Sequence, residues 1–173
     1  MPQLFSTSRA EAAVYRFPPL FFPLVAAVAI VLQAYLPTVV GAAIYLDLPL
    51  LVVVYWAITT RQPGSSAAVG AALGLAEDSL SHLALGVNGI AKTLIGYLAA
   101  TAGNKMDAEH AGVRWAVIFV FFELNRGLIY GFERFLLGTP VPWQGLAVAL
   151  AAAANGVLAI ILFRAMDRFR RWM

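Results

Sequence analysis

Six apolar runs, each near the length needed to cross a bilayer and each bounded by breakers, dominate this sequence. A spanning helix needs roughly 20 apolar residues. The first run is Phe17 to Leu36, ended by Pro37, and the second is Ala43 to Thr60, ended by Arg61-Gln62-Pro63-Gly64. The third is Ser66 to Leu83. The fourth starts at Gly86 or Asn88 and runs to Ala102, ended by Gly103-Asn104. The fifth is Val113 to Leu137, ended by Gly138-Thr139-Pro140, and the sixth is Trp143 to Phe163. Pro18, Pro19 and Pro23 can kink or delay the first helix. The third run is rich in Gly and Ala and carries Glu77 and Asp78, so hydropathy marks it weakly.

Composition agrees with the runs. Of 173 residues, 61% are hydrophobic and 12% charged. Soluble domains carry about 25% charged residues, and a soluble core cannot absorb this apolar excess without exposing large patches. The expected fold is an all-α integral membrane protein, a compact bundle of six transmembrane helices. Six spans use about 120 residues and leave about 50 for tails and loops. That is too few for a soluble catalytic, nucleotide-binding or sensor domain. The expected organisation is a segment at 1–16, a membrane domain at 17–163 and a basic tail at 164–173. With no cysteine, disulfides, thiolate metal sites and Cys nucleophiles are excluded.

Lys and Arg favour cytoplasmic flanks. With the N-terminus inside, Arg9, Arg16, Arg61, Lys105, Arg114, Arg164, Arg168, Arg170 and Arg171 all fall on the cytoplasmic side. Arg134 falls on the outer side, and Lys92 and Arg126 lie within spans. This asymmetry predicts both termini in the cytoplasm. It also explains the formal charge of +3 as topology, so no nucleic-acid partner is expected. Trp56, Trp115, Trp143 and Trp172 fall near span ends, where interfacial indoles prefer to sit. Ser8-x-x-Glu11 fits a capping box, and residues 9–16 read as a short interfacial helix. The long run after Phe17 and the five runs beyond it argue against a signal peptide.

Charges inside spans are the informative positions. Glu123, Arg126, Tyr130 and Glu133 stand at offsets 0, 3, 7 and 10, within an arc of roughly 80° on one helix face. Each mid-span charge costs about 3 kcal/mol, and the apolar residues of this span return about 4–7 kcal/mol. The economical arrangement is a Glu123–Arg126 pair at i,i+3. Such a pair either holds helices together, lines a cavity or receives a partner helix. In the third span, Gly70-x-x-x-Gly74 admits a close helix, Asp78 continues the spacing by a turn, and Ser81 lies beside it. Lys92 is close enough in depth to pair with Asp78 or Glu77, and a carboxylate of the third or fifth span is its expected partner, or else it snorkels outward. Catalytic arrangements fare poorly. Asp78 and His82 at i,i+4 can share a metal, but no third ligand is evident. Glu77-Asp78 has no matching partner set for an intramembrane protease. No cofactor and no metal are expected. In the sixth span, Ala147, Ala149, Ala151 to Ala154 and Gly156 suit close packing, and Asn155 can hydrogen-bond across helices. Arg164, Arg168, Arg170 and Arg171 then face an anionic inner leaflet or a cytoplasmic partner.

The stretch from Leu48 to Ala99 resembles the MreD family of rod shape-determining proteins. The resemblance rests on Pro49, Tyr55-Trp56-Ala57, Gly70 and Gly74, Asp78 and Ser81, Leu85-Gly86, and Gly96-Tyr97-Leu98, in that order. Ser81-His82-Leu83 departs from the Ser-Gly often found in the family, so the turn after the third span is expected to differ. The resemblance implies a non-enzymatic scaffold of the bacterial elongation machinery in the inner membrane. It would bind the bitopic protein MreC, and through it connect the MreB cytoskeleton with RodA and its penicillin-binding protein. A second copy of the chain is a further candidate partner. The resemblance also implies a fold like the six-helix substrate-binding components of energy-coupling-factor transporters. A small-molecule-binding subunit of that type is therefore the alternative function. The packing or partner candidates are Gly70, Gly74, Asp78, Ser81, Gly86, Lys92, Gly96, Glu123, Arg126 and Tyr130.

Overall fold

The computed structural model describes residues 20–81, 85–106, 110–138, 142 and 144–169. Among the described residues there are six α-helices: α1 Phe21–Val39, α2 Leu48–Thr60, α3 Pro63–Leu80, α4 Val87–Gly103, α5 Ala111–Gly131 and α6 Gly145–Asp167. A 3-10 helix at Gly41–Tyr45 precedes α2, and a π-helical turn at Phe132–Leu136 extends α5. The expected helix at 9–16, with Ser8 and Glu11, lies outside the described residues, as do His82, Trp143, Arg170, Arg171 and Trp172.

Helix α2 is the centre of the molecule. Leu50, Leu51, Val53, Val54 and Ala57 have no exposed surface. A helix apolar on every side belongs in a core. It packs on α1, α3 and α4, and reaches α5 and α6. Ile95 and Ala99 from α4, Ile118 and Phe122 from α5, and Ala152 and Phe163 from α6 close the main cluster around it. Tyr55, also buried, sets its hydroxyl 2.9 Å from Asp167 Oδ1, and Asp167 Oδ2 lies 2.7 Å from Arg114 Nη2. These contacts tie the start of α5 to the end of α6 through α2.

Among the described residues, three helices are long and apolar enough by themselves to cross a membrane: α1, α5 with its π turn, and α6. The other three differ from the six runs in instructive ways. The second run, expected from Ala43, breaks into the 3-10 helix and an α2 of 13 residues. Asp47 forces the later start. Its carboxylate accepts from Leu50 N at 3.0 Å, and Pro49 occupies the first turn, where its missing N–H costs nothing. Helix α3 starts at Pro63 rather than Ser66, because proline is tolerated in the first turn. Pro37 does not end α1, because it sits in the last turn and the helix closes with Val40 N donating to Leu36 O at 2.8 Å. Only the final turn carries the cost of the missing N–H.

Candidate functional site

Helices α3 and α4 approach closely because small residues line their seam. A Cβ on Gly70 would lie 2.6 Å from the carbonyl carbon of Lys92, and one on Gly74 2.6 Å from that of Asn88. A Cβ on Gly96 would lie 2.8 Å from the carbonyl carbon of Ser66. The obstacles are backbone atoms, which cannot rotate away. Gly70, Gly74 and Gly96 therefore pack inside the chain.

Asp78 caps α4 across the same seam. Its Oδ2 accepts from Gly86 N at 2.9 Å and Gly89 N at 3.1 Å, and its Oδ1 from Asn88 N at 3.2 Å and Asn88 Nδ2 at 2.9 Å. The carboxylate thus satisfies three backbone donors at a helix start, where the dipole favours negative charge. Gly86 has φ of 101°, a left-handed conformation that side chains resist. Asp78 and Gly86 are two halves of one cap, and Lys92 is not part of it. Ser81 is the C-cap residue of α3, and its hydroxyl is buried without a hydrogen-bond partner. Asp78→Ala should lower stability by about 2 kcal/mol, at the upper end for caps because three backbone donors lose their acceptor. Asp78→Asn should lower it by less. Thermal denaturation of the detergent-solubilised protein compares the two.

Lys92 is fully buried between two carboxylates. Its Nζ lies 2.7 Å from Glu77 Oε2 and 3.1 Å from Asp47 Oδ2, with Asn88 Oδ1 at 3.4 Å. It does not snorkel. Of the two partners expected from sequence, the structure places Glu77 at Lys92 and uses Asp78 elsewhere. Asp47 was missed by the sequence reading. Its local signal was present, since Asp-x-Pro before an apolar run marks a helix start. Its ionic role was not legible, because Asp47 and Lys92 stand 45 residues apart. Asp47 also ties in the last two helices. Asn125 Nδ2 donates to its Oδ2 at 3.3 Å, and its own N–H donates to Asn155 Oδ1 at 2.9 Å. Asn155 in turn donates to Tyr45 O at 2.9 Å. Five helices thus share one buried polar network.

The arc on α5 departs from expectation. Among the described residues, no ion pair joins Glu123 to Arg126. Glu123 Oε1 is buried without a hydrogen-bond partner, and the Arg126 guanidinium lies over the Phe122 ring at 5.4 Å. The i,i+3 rule offered a partner, and the aromatic face one turn back took the cation instead. Arg126, Tyr130 and Glu133 do share a surface. Together with Tyr45 and Gln144 they line a cavity of about 360 Å³ between α5, α6 and the 3-10 helix. A double-mutant cycle on Glu123→Ala and Arg126→Ala should give a coupling below about 0.5 kcal/mol, the additive limit. A coupling above about 1 kcal/mol would restore the pair.

Two of the tryptophans make hydrogen bonds within the chain. Trp115 Nε1 donates to Ala153 O at 3.2 Å, and its ring fills the space a Cβ on Gly156 would need. Trp56 Nε1 donates to Ser65 Oγ at 3.2 Å. Arg164 and Arg168 stand exposed at the end of α6.

Helices of spanning length around a buried ionic cluster define a polytopic α-helical membrane protein. The family model of the rod shape-determining protein MreD matches residues 15–169. The chain belongs to that family, whose role is rod shape determination within a membrane complex. It is a family of structural proteins, not one of known enzymes. No curated protein and no solved structure matches the chain.

Proposed function

We propose that this chain is a non-enzymatic membrane scaffold of the bacterial elongation complex that binds MreC and helps organise peptidoglycan synthesis. The observation that carries this reading is a face of α5. Gly112, Ala116, Val120 and Leu124 follow one another at every fourth residue, and all four are exposed. A Cβ on Gly112 would meet nothing within 4 Å. Small residues four apart admit a second helix at close range, and a bitopic partner supplies one such helix. The seam glycines and Asp78 are occupied within the chain, and among the remaining exposed apolar faces, which include those of α1 and α6, the Gly112–Ala116 step on α5 offers the close approach. RodA, its penicillin-binding protein and MreB are reached through MreC.

In this reading all six helices cross the inner membrane, with a plan like that of energy-coupling-factor substrate-binding components. Both termini are cytoplasmic. Arg164, Arg168, Arg170 and Arg171 hold the inner leaflet, each contributing about 1 kcal/mol against anionic lipid. Affinity purification of the tagged chain from membranes that also contain MreC tests the proposal. MreC should copurify with the wild type, and Ala116→Trp should reduce its recovery at least ten-fold. Val31→Trp on the exposed face of α1 should not. Absence of any stable complex, with both proteins folded, would sink the scaffold reading.

A further inference from the structure

The cavity beside α5 holds a cation that forms no ion pair among the described residues. Lys92 has two carboxylates and Arg114 has Asp167. Arg126 has no carboxylate within ion-pair distance among the described residues. Glu77 lies within electrostatic reach of Arg126, but it is committed to Lys92 at 2.7 Å. The cavity volume, about 360 Å³, falls in the range of small-molecule sites. Its floor is apolar and buried, formed by Phe122 and Ile129, while Ile44, Tyr45 and Gln144 at its mouth are exposed. The mouth lies at the start of α6, at the opposite end of that helix from Arg164 and Arg168.

We infer that this cavity binds a phosphorylated amphiphile, with its phosphate on Arg126 and its hydrocarbon against Ile44, Ile129 and Val148. A guanidinium presents a planar fork of donors that matches phosphate oxygens two at a time. The Arg126 guanidinium lies over the Phe122 ring at 5.4 Å, a contact that restricts it before the ligand arrives. The apolar floor offers nothing to a hydrated free anion. Glu133, two turns further along α5 and also lining the cavity, opposes an anion that has no hydrocarbon to anchor it. A membrane lipid and a single-chain phosphate ester share the required chemistry. The inference does not depend on MreC binding, because Gly112, Ala116, Val120 and Leu124 do not line the cavity.

Native mass spectrometry of the full chain in an uncharged maltoside detergent tests the assignment. The probes are dodecyl phosphate, phosphatidylglycerol, dodecanol and inorganic phosphate. Wild type should take up one dodecyl phosphate, and dodecanol and inorganic phosphate should each bind at least ten-fold more weakly. Arg126→Gln should weaken dodecyl phosphate binding at least ten-fold. Ala147→Phe, which fills the cavity and keeps Arg126, should do the same. Equal or tighter binding of phosphatidylglycerol would assign the site to a bilayer lipid, and weaker binding to a single-chain ester. Undiminished binding in Ala147→Phe or Arg126→Gln would overturn the site. Inorganic phosphate binding as tightly as dodecyl phosphate would overturn the amphiphile.

Discussion

Lys92→Met should be the most damaging single substitution in this chain. The side chain has no exposed surface, and the side chains of Asp47 and Glu77 are only 4% and 17% exposed. Removing the ammonium leaves two carboxylates facing each other without a counter-charge. Breaking a buried ion pair from one side costs about 3–5 kcal/mol. That corresponds to a fall in the apparent melting temperature on the order of 10 °C for a chain of this size. Asp47 caps α2, and Glu77 lies on α3, so the damage reaches the central helix and the α3–α4 seam together. Lys92→Met combined with Glu77→Leu should recover part of the loss, because one uncompensated charge goes and apolar volume replaces it. Thermal denaturation of the detergent-solubilised protein reads both. A single variant as stable as wild type would mean that Lys92 does not hold the two carboxylates together.

The second large effect belongs to the seam. Gly70→Val and Gly74→Val place side chains where Lys92 and Asn88 backbone atoms already stand, at 2.6 Å from the nearest carbonyl carbons. Overpacking of flexible side chains costs about 1–3 kcal/mol, and backbone obstacles put these two at or above the top of that range. Separating α3 from α4 also lengthens the Glu77–Lys92 contact, so the two effects add in the same direction. Gly127→Ala is the control. A Cβ there meets nothing within 4 Å, and Ala in a helix interior is favoured over Gly by about 0.8–1 kcal/mol. The control should be neutral or stabilising. Loss of stability there, or tolerance of Val at Gly70, would contradict the close seam.

The six helices were legible because the apolar runs and their breakers are local signals. Their ends were less so. Residues 43–47 are apolar enough to read as helix, yet the Asp47 cap and Pro49 move the start of α2 to Leu48. Gly70 and Gly74 were legible from four-residue spacing, and Gly96 only from the family resemblance, but neither says whether the close neighbour is internal or a partner. The surrounding helices decided that. Lys92 announced itself as a costly residue, and its depth left Asp78 and Glu77 both open, of which Glu77 stands beside it. Asp47 was invisible as its second partner, because nothing local links a helix cap to a lysine two helices later. For Glu123 and Arg126 the local rule was followed, and the packing of Arg126 on Phe122 overrode it. The cavity itself required knowledge of where α6 and the 3-10 helix lie against α5.

In the proposed complex, α5 receives the MreC helix. The chain contains no cysteine, so single cysteines report contacts without background. Ala116→Cys, paired with single cysteines along the MreC transmembrane helix, should give a disulfide adduct on mild oxidation in native membranes. The adduct should recur with a helical period along MreC. Val31→Cys on α1 should give none. Adducts from Val31→Cys and none from Ala116→Cys, in membranes where the complex is intact, would contradict the account.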